Sequence, residues 1–190
     1  MLVLNPDAEV TAGALETLSG ILDARPAVGV VGPLTRNPDG SVQVSFGPDL
    51  TPLAEWRQRR LVRGVRERRP QALREAAARA AAEQEPDWVS GSCFLARRQA
   101  LQSVGGFDEA FFLFEEDADL CLRLRRAGWR VLFTPAAEVR HALGRSMDQA
   151  PERARLEYDR SHLLYYSKHN GPLLTALLRT CLALAGRRGP

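Results

Sequence analysis

Short apolar runs alternate with runs of helical period along this chain. Met1 to Leu4 is apolar and reads as a buried strand, broken by Asn5-Pro6-Asp7. From Thr11 a helical pattern places Leu15, Leu18 and Leu22 on one face and stops at Pro26. Val28 to Val31 reads as a second buried strand. Asn37-Pro38-Asp39-Gly40 predicts a turn, and Val42, Val44 and Phe46 alternate behind it like a half-buried strand.

The character changes between Thr51 and Glu85. Trp56 to Ala82 is rich in Arg and Ala, punctuated by Gly64 and Pro70, and predicts two exposed helices closed off by Pro86. Trp88 to Ala96 is apolar again, with Gly91-Ser92 inside it. Gln99 to Val104 predicts a short helix ended by Gly105-Gly106. A longer helix follows the aromatic run Phe111 to Phe114, with Gly128 as its cap. Arg130 to Phe133 predicts a strand, and Val139 to His141 the end of another extended piece. Pro151 to His169 predicts a helix carrying Leu156, Leu163, Leu164 and Tyr165. This alternation predicts an α/β architecture with a mixed sheet, where ligands gather at the carboxyl ends of strands. Two polar clusters fall at such ends: Asn5-Pro6-Asp7, and the acids after Phe114.

Composition narrows the class. A chain of 190 residues with 26% charged and 45% hydrophobic residues is an ordinary globular protein with a sizeable core. Arginine carries nearly all the positive charge, since Lys168 is the only lysine; base composition explains this better than function does. Cys93, Cys121 and Cys181 are odd in number and lack metal-ligand spacing, which favours a reduced, cytoplasmic chain. The N-terminus has no signal-peptide pattern, and no apolar run reaches the roughly 18 residues of a spanning helix. The run Pro172 to Ala185, flanked by Arg187-Arg188, reads equally as an interfacial helix at the inner face of the membrane or as a helix packed on the domain.

The acids carry the sharpest chemical signal. Glu115, Glu116, Asp117 and Asp119 follow an aromatic approach and precede apolar residues at helical spacing. Acids favour a first helical turn through the helix dipole, by about 0.3–1 kcal/mol each. That covers one or two of them; a carboxylate on a rigid helix mouth also serves as a general base. Asn5 and Asp7 have the spacing to hold a hard cation, although most Asn-Pro-Asp tripeptides are only turns. Gly91 and Ser92 mark a bulge or a close approach by ligand. His141 gains weight only if it converges on Asp7.

In their order, these pieces resemble the family 2 glycosyltransferases, in particular the bacterial rhamnosyltransferase-like and galactofuranosyltransferase-like branch. The resemblance is carried by Leu4-Asn5-Pro6-Asp7, Val28 to Pro33, Asn37 to Ser41, Trp88 to Cys93, Val104 to Glu109, the acidic segment through Arg123, Ala127-Gly128-Trp129 and Val139-Arg140-His141. It implies a GT-A-like nucleotide-diphospho-sugar transferase fold over residues 1–170, with 51–86 as a helical insertion and 171–190 as an amphipathic helix and tail. It implies Asp117 as catalytic base in a pair with Glu116. Asp7 and His141 would be ligands of Mg2+ or Mn2+. Asn5, Asp7, Trp88, Gly91, Ser92, Asp119 and Arg123 would bind donor and acceptor. Asn5 stands where many relatives have aspartate, which lowers the negative charge offered to a metal.

The activity so implied is inverting transfer of a sugar from a nucleoside diphosphate to the hydroxyl of a glycan or lipid-linked acceptor, in cell-surface polysaccharide synthesis. The chain begins at the strand leading into Asn5-Pro6-Asp7, so the resemblance also predicts that the N-terminal nucleotide-binding strands are missing. The alternative is a non-catalytic remnant that binds acceptor glycan or a partner chain. Nucleic-acid binding through Arg57 to Arg79 ranks lower, because Glu67, Glu75 and Glu83 interrupt the basic run.

Overall fold

The computed structural model describes residues 1–142 and 151–186; the expected tail from Arg187 onward lies outside them. Five strands form a mixed sheet in the order β1 (Leu2–Leu4), β6 (Cys93–Ala96), β3 (Val28–Arg36), β7 (Arg130–His141), β2 (Ala8–Val10). Among the described residues only β3 and β7 pair in parallel; the other pairs are antiparallel. A two-residue pair, β4 (Phe46–Gly47) with β5 (Trp88–Val89), stands beside this sheet. The expected α/β architecture with a mixed sheet is present.

The core lies on both faces of β3 and β7. On one face α1 (Ala14–Ala24) sets Ala14, Leu18 and Leu22 against Val28, Val31 and Leu132. On the other, α4 (Arg98–Ser103) and α5 (Glu116–Arg126) bring Ala100, Leu101, Leu120, Cys121 and Leu124 onto Val30, Phe94, Val131 and Phe133. Successive residues Val30 and Val31 point to opposite faces, as strand geometry requires. α2 (Pro52–Arg66) and α3 (Pro70–Arg79) pack on each other through Leu61, Val65 and Ala76, and carry Val42 and Val44 against them. Gly64 lies inside α2 rather than breaking it. A Cβ there would come within 2.6 Å of Ala72 Cβ, so glycine is what lets the two helices close. α6 (Pro151–His169) and α7 (Gly171–Gly186) complete the described chain.

Several local expectations need correction. β1 is an edge strand with Met1, Leu2 and Leu4 exposed, not a buried one. Leu15 is exposed on α1, because the inward stripe runs through Ala14 instead. Val42 to Ser45 is not a strand, and Phe46 alone of the expected run joins one, at the start of β4: Val42 makes an isolated bridge to Arg36, and Val42 and Val44 pack on α2 and α3. The Trp88 to Ala96 run is two strands, split at Gly91-Ser92. The pieces at Arg130 and Val139 are one strand, continuous past Pro135 through a register irregularity opposite Pro33 and Leu34. Strand β2 has no pattern of its own; it forms because β7 offers a free edge.

One glycine couples this frame to the site. A Cβ on Gly32 would lie 2.8 Å from Val89 Cβ. Both atoms belong to rigid strands, so the clash has no flexible end to absorb it. Gly32→Ala is expected to destabilise the protein by about 1–3 kcal/mol through overpacking, read as a lower denaturation midpoint in urea.

Candidate active site

The loop Ser90 to Ser92, between β5 and β6, ties the two polar clusters together. Its Gly91 N–H donates to Asp117 Oδ2 at 2.7 Å. Its Ser92 carbonyl accepts the Asn5 N–H at 3.0 Å. Asp117 Oδ1 accepts the Ala118 N–H at 2.8 Å. The candidate base is therefore held by one backbone donor on each oxygen, with lone pairs left on both. A Cβ on Gly91 would sit at 3.5 Å from Asp117 Cβ, an ordinary contact. Gly91 thus marks a close approach by the acidic pair, and alanine would fit there.

The approach to α5 is strained. Phe114 and Glu115 both adopt the left-handed conformation, at φ 67° and 65°. Each costs about 1–2 kcal/mol for a residue with a Cβ. Phe111 is buried, but Phe112 and Leu113 are exposed, so the aromatic run crosses the surface instead of emerging from the core. α6 holds this bend in place. Ser161 donates to the Leu113 carbonyl at 2.6 Å, Tyr158 meets the Phe114 ring edge-on, and His162 binds Glu115.

Glu116 and Asp117 are adjacent carboxylates in a half-buried place. Burial pushes Glu116 up to about 7, and the Asp117 charge adds to the shift. Burial also raises Asp117, against the pull of the Gly91 and Ala118 N–H groups. The two N–H bonds oppose the effect of burial on Asp117, and the two adjacent acids titrate together, above the usual carboxylate range.

Asp7 and His141 meet at the end of the sheet, where β2 and β7 pair Ala8 with His141. His141 Nε2 lies 3.1 Å from Asp7 Oδ1 and 3.4 Å from Asn5 Nδ2. Its Nδ1 lies 3.2 Å from Gln43 Oε1. Each ring nitrogen thus faces an oxygen acceptor. A proton on Nε2 satisfies this contact as a direct hydrogen bond to Asp7; with Nδ1–H donated to Gln43 instead, the Nε2 lone pair and the Asp7 carboxylate could share one cation. Rotating the Asn5 amide would bring its oxygen to the same place. Among the described residues no third His, Cys, Asp or Glu completes a protein-only cage. The set suits a cation that takes its remaining ligands from water and diphosphate.

Asp117 also lines a cavity of about 500 Å³. Trp88 forms part of its wall, anchored by an indole N–H bond of 2.8 Å to the Pro48 carbonyl. α2 supplies Glu55, Arg59, Val62, Arg63 and Arg66, and α6 supplies Tyr158. Behind that wall lies a charge network absent from the sequence reading. His162, 1% exposed, sits 2.9 Å from Glu115 Oε1 and 3.1 Å from Glu55 Oε2. Arg59 shares Glu55 Oε2 at 3.0 Å, and Tyr166 donates to Glu55 Oε1 at 2.7 Å. Two carboxylates and two cations balance. Burial lowers the proton affinity of His162, but bonds and charges from Glu115 and Glu55 outweigh it and push its pKa up to about 9. The available signal was Glu55, the single acid of α2, whose i,i+4 spacing to Arg59 is readable, whereas its partners His162 and Tyr166 come from a distant helix.

Asp119 and Arg123 correct the expected site. Asp119 is fully buried, and its oxygens accept from Arg123 Nε and face His169 Nε2, each at 2.7 Å. Arg123 also donates to the Val104 and Gly106 carbonyls. These side chains fasten α5 to the Gly105-Gly106 turn and to α6. With every Asp119 oxygen engaged and none exposed, it has no face for substrate. Ser92 is buried, with its Oγ unpartnered beside the site loop.

The family model for "Glycosyltransferase like family 2" matches residues 57–158. Over 173 residues, 90% of this chain, it is 34% identical to an N-acetylglucosaminyl-diphospho-decaprenol L-rhamnosyltransferase of Mycobacterium tuberculosis. The chain spans about half the length of that relative, 56%. It is 46% identical over 55 residues to the rhamnosyltransferase WbbL of Escherichia coli, covering 29% of this chain and 21% of the relative. Among solved structures, one of GalNAc-T7 with UDP, GalNAc and Mn2+ aligns over 74% of this chain and 27% of its own, at 16% identity and a TM-score of 0.49, too weak a likeness to carry an argument.

Two measurements probe the site's supports. The raised pKa of His162 means that its contribution is complete below about 6.5 and is lost as pH rises through about 9. Unfolding free energy should therefore fall over that range by up to about 3 kcal/mol, and His162→Gln should flatten the fall. Asp119→Ala should cost about 3–5 kcal/mol, because it leaves Arg123 and His169 without their carboxylate, measured by thermal or chemical unfolding.

Proposed function

Because the chain belongs to the glycosyltransferase family 2 proteins, of the rhamnosyltransferase-like kind, we propose that it transfers a sugar from a nucleoside diphosphate to a lipid-linked or glycan hydroxyl, with inversion. Its α/β architecture with a mixed five-stranded sheet accords with this. The observation that carries the reading is the placement of Asp117. It stands at the head of α5, opens into the cavity, and connects through Gly91 and Ser92 to Asn5 and so to the Asp7–His141 corner.

The steps follow from those positions. The acceptor hydroxyl enters the cavity and donates its hydrogen bond to a free lone pair of Asp117. As its oxygen bonds to the anomeric carbon, the proton passes to Asp117, and the bond to the diphosphate breaks on the opposite face. Direct displacement inverts the anomeric centre. The leaving diphosphate lies toward Asn5, Asp7 and His141. Asp7 and His141 would hold a Mg2+ or Mn2+ there, which would supply charge stabilisation to the departing oxygens. Trp88 walls the sugar site, and Gly91 leaves room beside the acids.

The acceptor is proposed to be lipid-linked and the setting cell-surface polysaccharide synthesis, at the cytoplasmic face of the membrane. Among the described residues no helix is long and apolar enough to cross a membrane. α7 packs through Thr175 and Leu178, while Leu173, Leu177 and Leu184 face outward. One face of this helix is packed, and the outward leucines are proposed to make peripheral contact with lipid. Residues 1–170 are proposed as catalytic domain, with 51–86 as the inserted cavity wall.

Asp117→Asn should lower transfer about 10²–10⁴-fold. It should cost only about 1 kcal/mol of stability, since an amide can accept just one of the two backbone N–H bonds. Retention of more than half the parent rate would remove Asp117 from the role. The transfer rate should rise with pH near 7 as the acidic pair loses its proton. Glu116→Gln should move that rise to lower pH by removing the neighbouring negative charge, and an unmoved profile would separate the pair from catalysis. Chelation with EDTA should abolish transfer, and Mn2+ or Mg2+ should restore it; Asp7→Ala should raise the metal concentration needed.

A further inference from the structure

Gln43 lies outside the expected site residues, yet it touches one of them. Its backbone N–H donates to the Thr35 carbonyl at 2.9 Å, and Val42 bridges Arg36, so it is fastened to the end of β3. His141 ends the neighbouring strand β7, which pairs with β3 here through Thr35–Val139 and Arg36–Arg140. The Gln43 side chain reaches across this parallel pair and sets Oε1 3.2 Å from His141 Nδ1. The other ring nitrogen, Nε2, faces Asp7 Oδ1 at 3.1 Å and Asn5 Nδ2 at 3.4 Å. His141 is buried, so these side chains decide which nitrogen carries the proton.

A neutral imidazole has one N–H and one lone pair, and a buried ring needs a partner for each. Two arrangements provide them. With the proton on Nε2, the ring donates to Asp7, and the Nδ1 lone pair accepts from the Gln43 NH2 group. With the proton on Nδ1, the ring donates to Gln43 Oε1, and Nε2 offers its lone pair to a cation beside Asp7. Gln43 serves both states because its amide carries a donor and an acceptor of nearly equal size, exchanged by turning the last side-chain bond. A carboxylate there could only accept, and an ammonium could only donate. Among the described residues the Gln43 amide makes no other hydrogen bond that would fix one orientation.

We propose that Gln43 is a positioning residue for the cation corner: its amide turns over when a divalent cation binds, so that the His141 proton moves from Nε2 to Nδ1 while the ring keeps its place. Without a cation the ring donates to Asp7, because a charged acceptor is the stronger one. With a cation, Nε2 gives up its proton to solvent and Nδ1 takes one from solvent. The ring stays neutral and no proton is lost overall. This rests on the reading of Asp7 and His141 as cation ligands, and it names the residue that makes the imidazole ready. Partners that orient a ligating histidine in this way typically contribute tenfold or more to metal affinity.

Two measurements on the full chain test this without turnover. Nitrogen NMR of the imidazole, with Zn2+ as a diamagnetic probe, reads which nitrogen is protonated. The parent should show Nε2–H without metal and Nδ1–H with it. Calorimetry with Mn2+ alone reads the affinity. Gln43→Leu should keep Nε2–H in the metal-free state and lose roughly tenfold or more of the Mn2+ affinity. Val42→Ala loosens the same segment without removing a partner of the ring, and should bind Mn2+ like the parent. The proposal is overturned by the same protonated nitrogen with and without metal, by unchanged Mn2+ affinity in Gln43→Leu, or by an equal loss in Val42→Ala, which would make Gln43 a mere support for its segment. A parent that binds neither cation overturns it together with the cation corner. Sugar transfer separates this from the broader reading. A chain that transfers sugar but fails these tests loses only the role of Gln43, whereas one that passes them and transfers no sugar keeps that role and loses the glycosyl-transfer reading.

Discussion

The buried ion cluster around His162 is the contact on which the cavity depends. It joins three elements that share no backbone hydrogen bonding: α2 through Glu55 and Arg59, the entry to α5 through Glu115, and α6 through His162 and Tyr166. Removing charges from water is expensive, and the cost is recovered only when each charge is paired and hydrogen-bonded. Here each acid has a cation, and Glu55 also takes the Tyr166 hydroxyl. The cluster therefore specifies one arrangement of the three walls. An arrangement with α2 or α6 displaced would strand a buried carboxylate.

That constraint reaches the acidic pair. Glu115 sits directly before Glu116 and Asp117, and its charge raises the proton affinity of both. His162 neutralises Glu115 from behind. Without it, three adjacent acids would repel one another at a strained helix entry, where Phe114 and Glu115 already hold left-handed conformations. The strain and the charge are localised where the chain turns a carboxylate into the cavity, and α6 supplies the compensation. Asp119 and Arg123 serve the same helix from its other side, fixing α5 to α6 and to the turn at Gly105-Gly106.

The loop Ser90 to Ser92 turns this rigid assembly into a site. It is short, flanked by strands, and bonded to Asn5 on one side and to Asp117 on the other. Val89 is wedged against Gly32, so the loop cannot shift without moving the central strand. A base at one end of this tether and a cation-ready corner at the other are thereby kept at a fixed spacing, which a displacement between two substrates requires.

Local pattern by itself determined the elements that rest on near-neighbour chemistry. The two helices expected within Trp56 to Ala82, the helix from Pro151, the Gly40 turn, the Gly128 cap and the buried start of β3 follow from periodicity and from residues with restricted backbone choices. The acidic segment and Asn5-Pro6-Asp7 were legible as chemistry because several ligand-type side chains sit within a few positions. Tertiary structure alone decided which of these meet. Asp7 and His141 are 134 residues apart in sequence, and only the pairing of β2 with β7 brings them to 3.1 Å. Asp119 carries the same carboxylate as Asp117 and lies two residues away, yet helical geometry turns it into the interior and leaves Asp117 at the cavity. The local pattern assigns no role to Glu55, Arg59 or His162, because burial of a charge depends on partners that arrive from distant elements. A side chain's type is written locally, whereas its partner, its burial and hence its proton affinity are set by contacts that no short window of sequence contains.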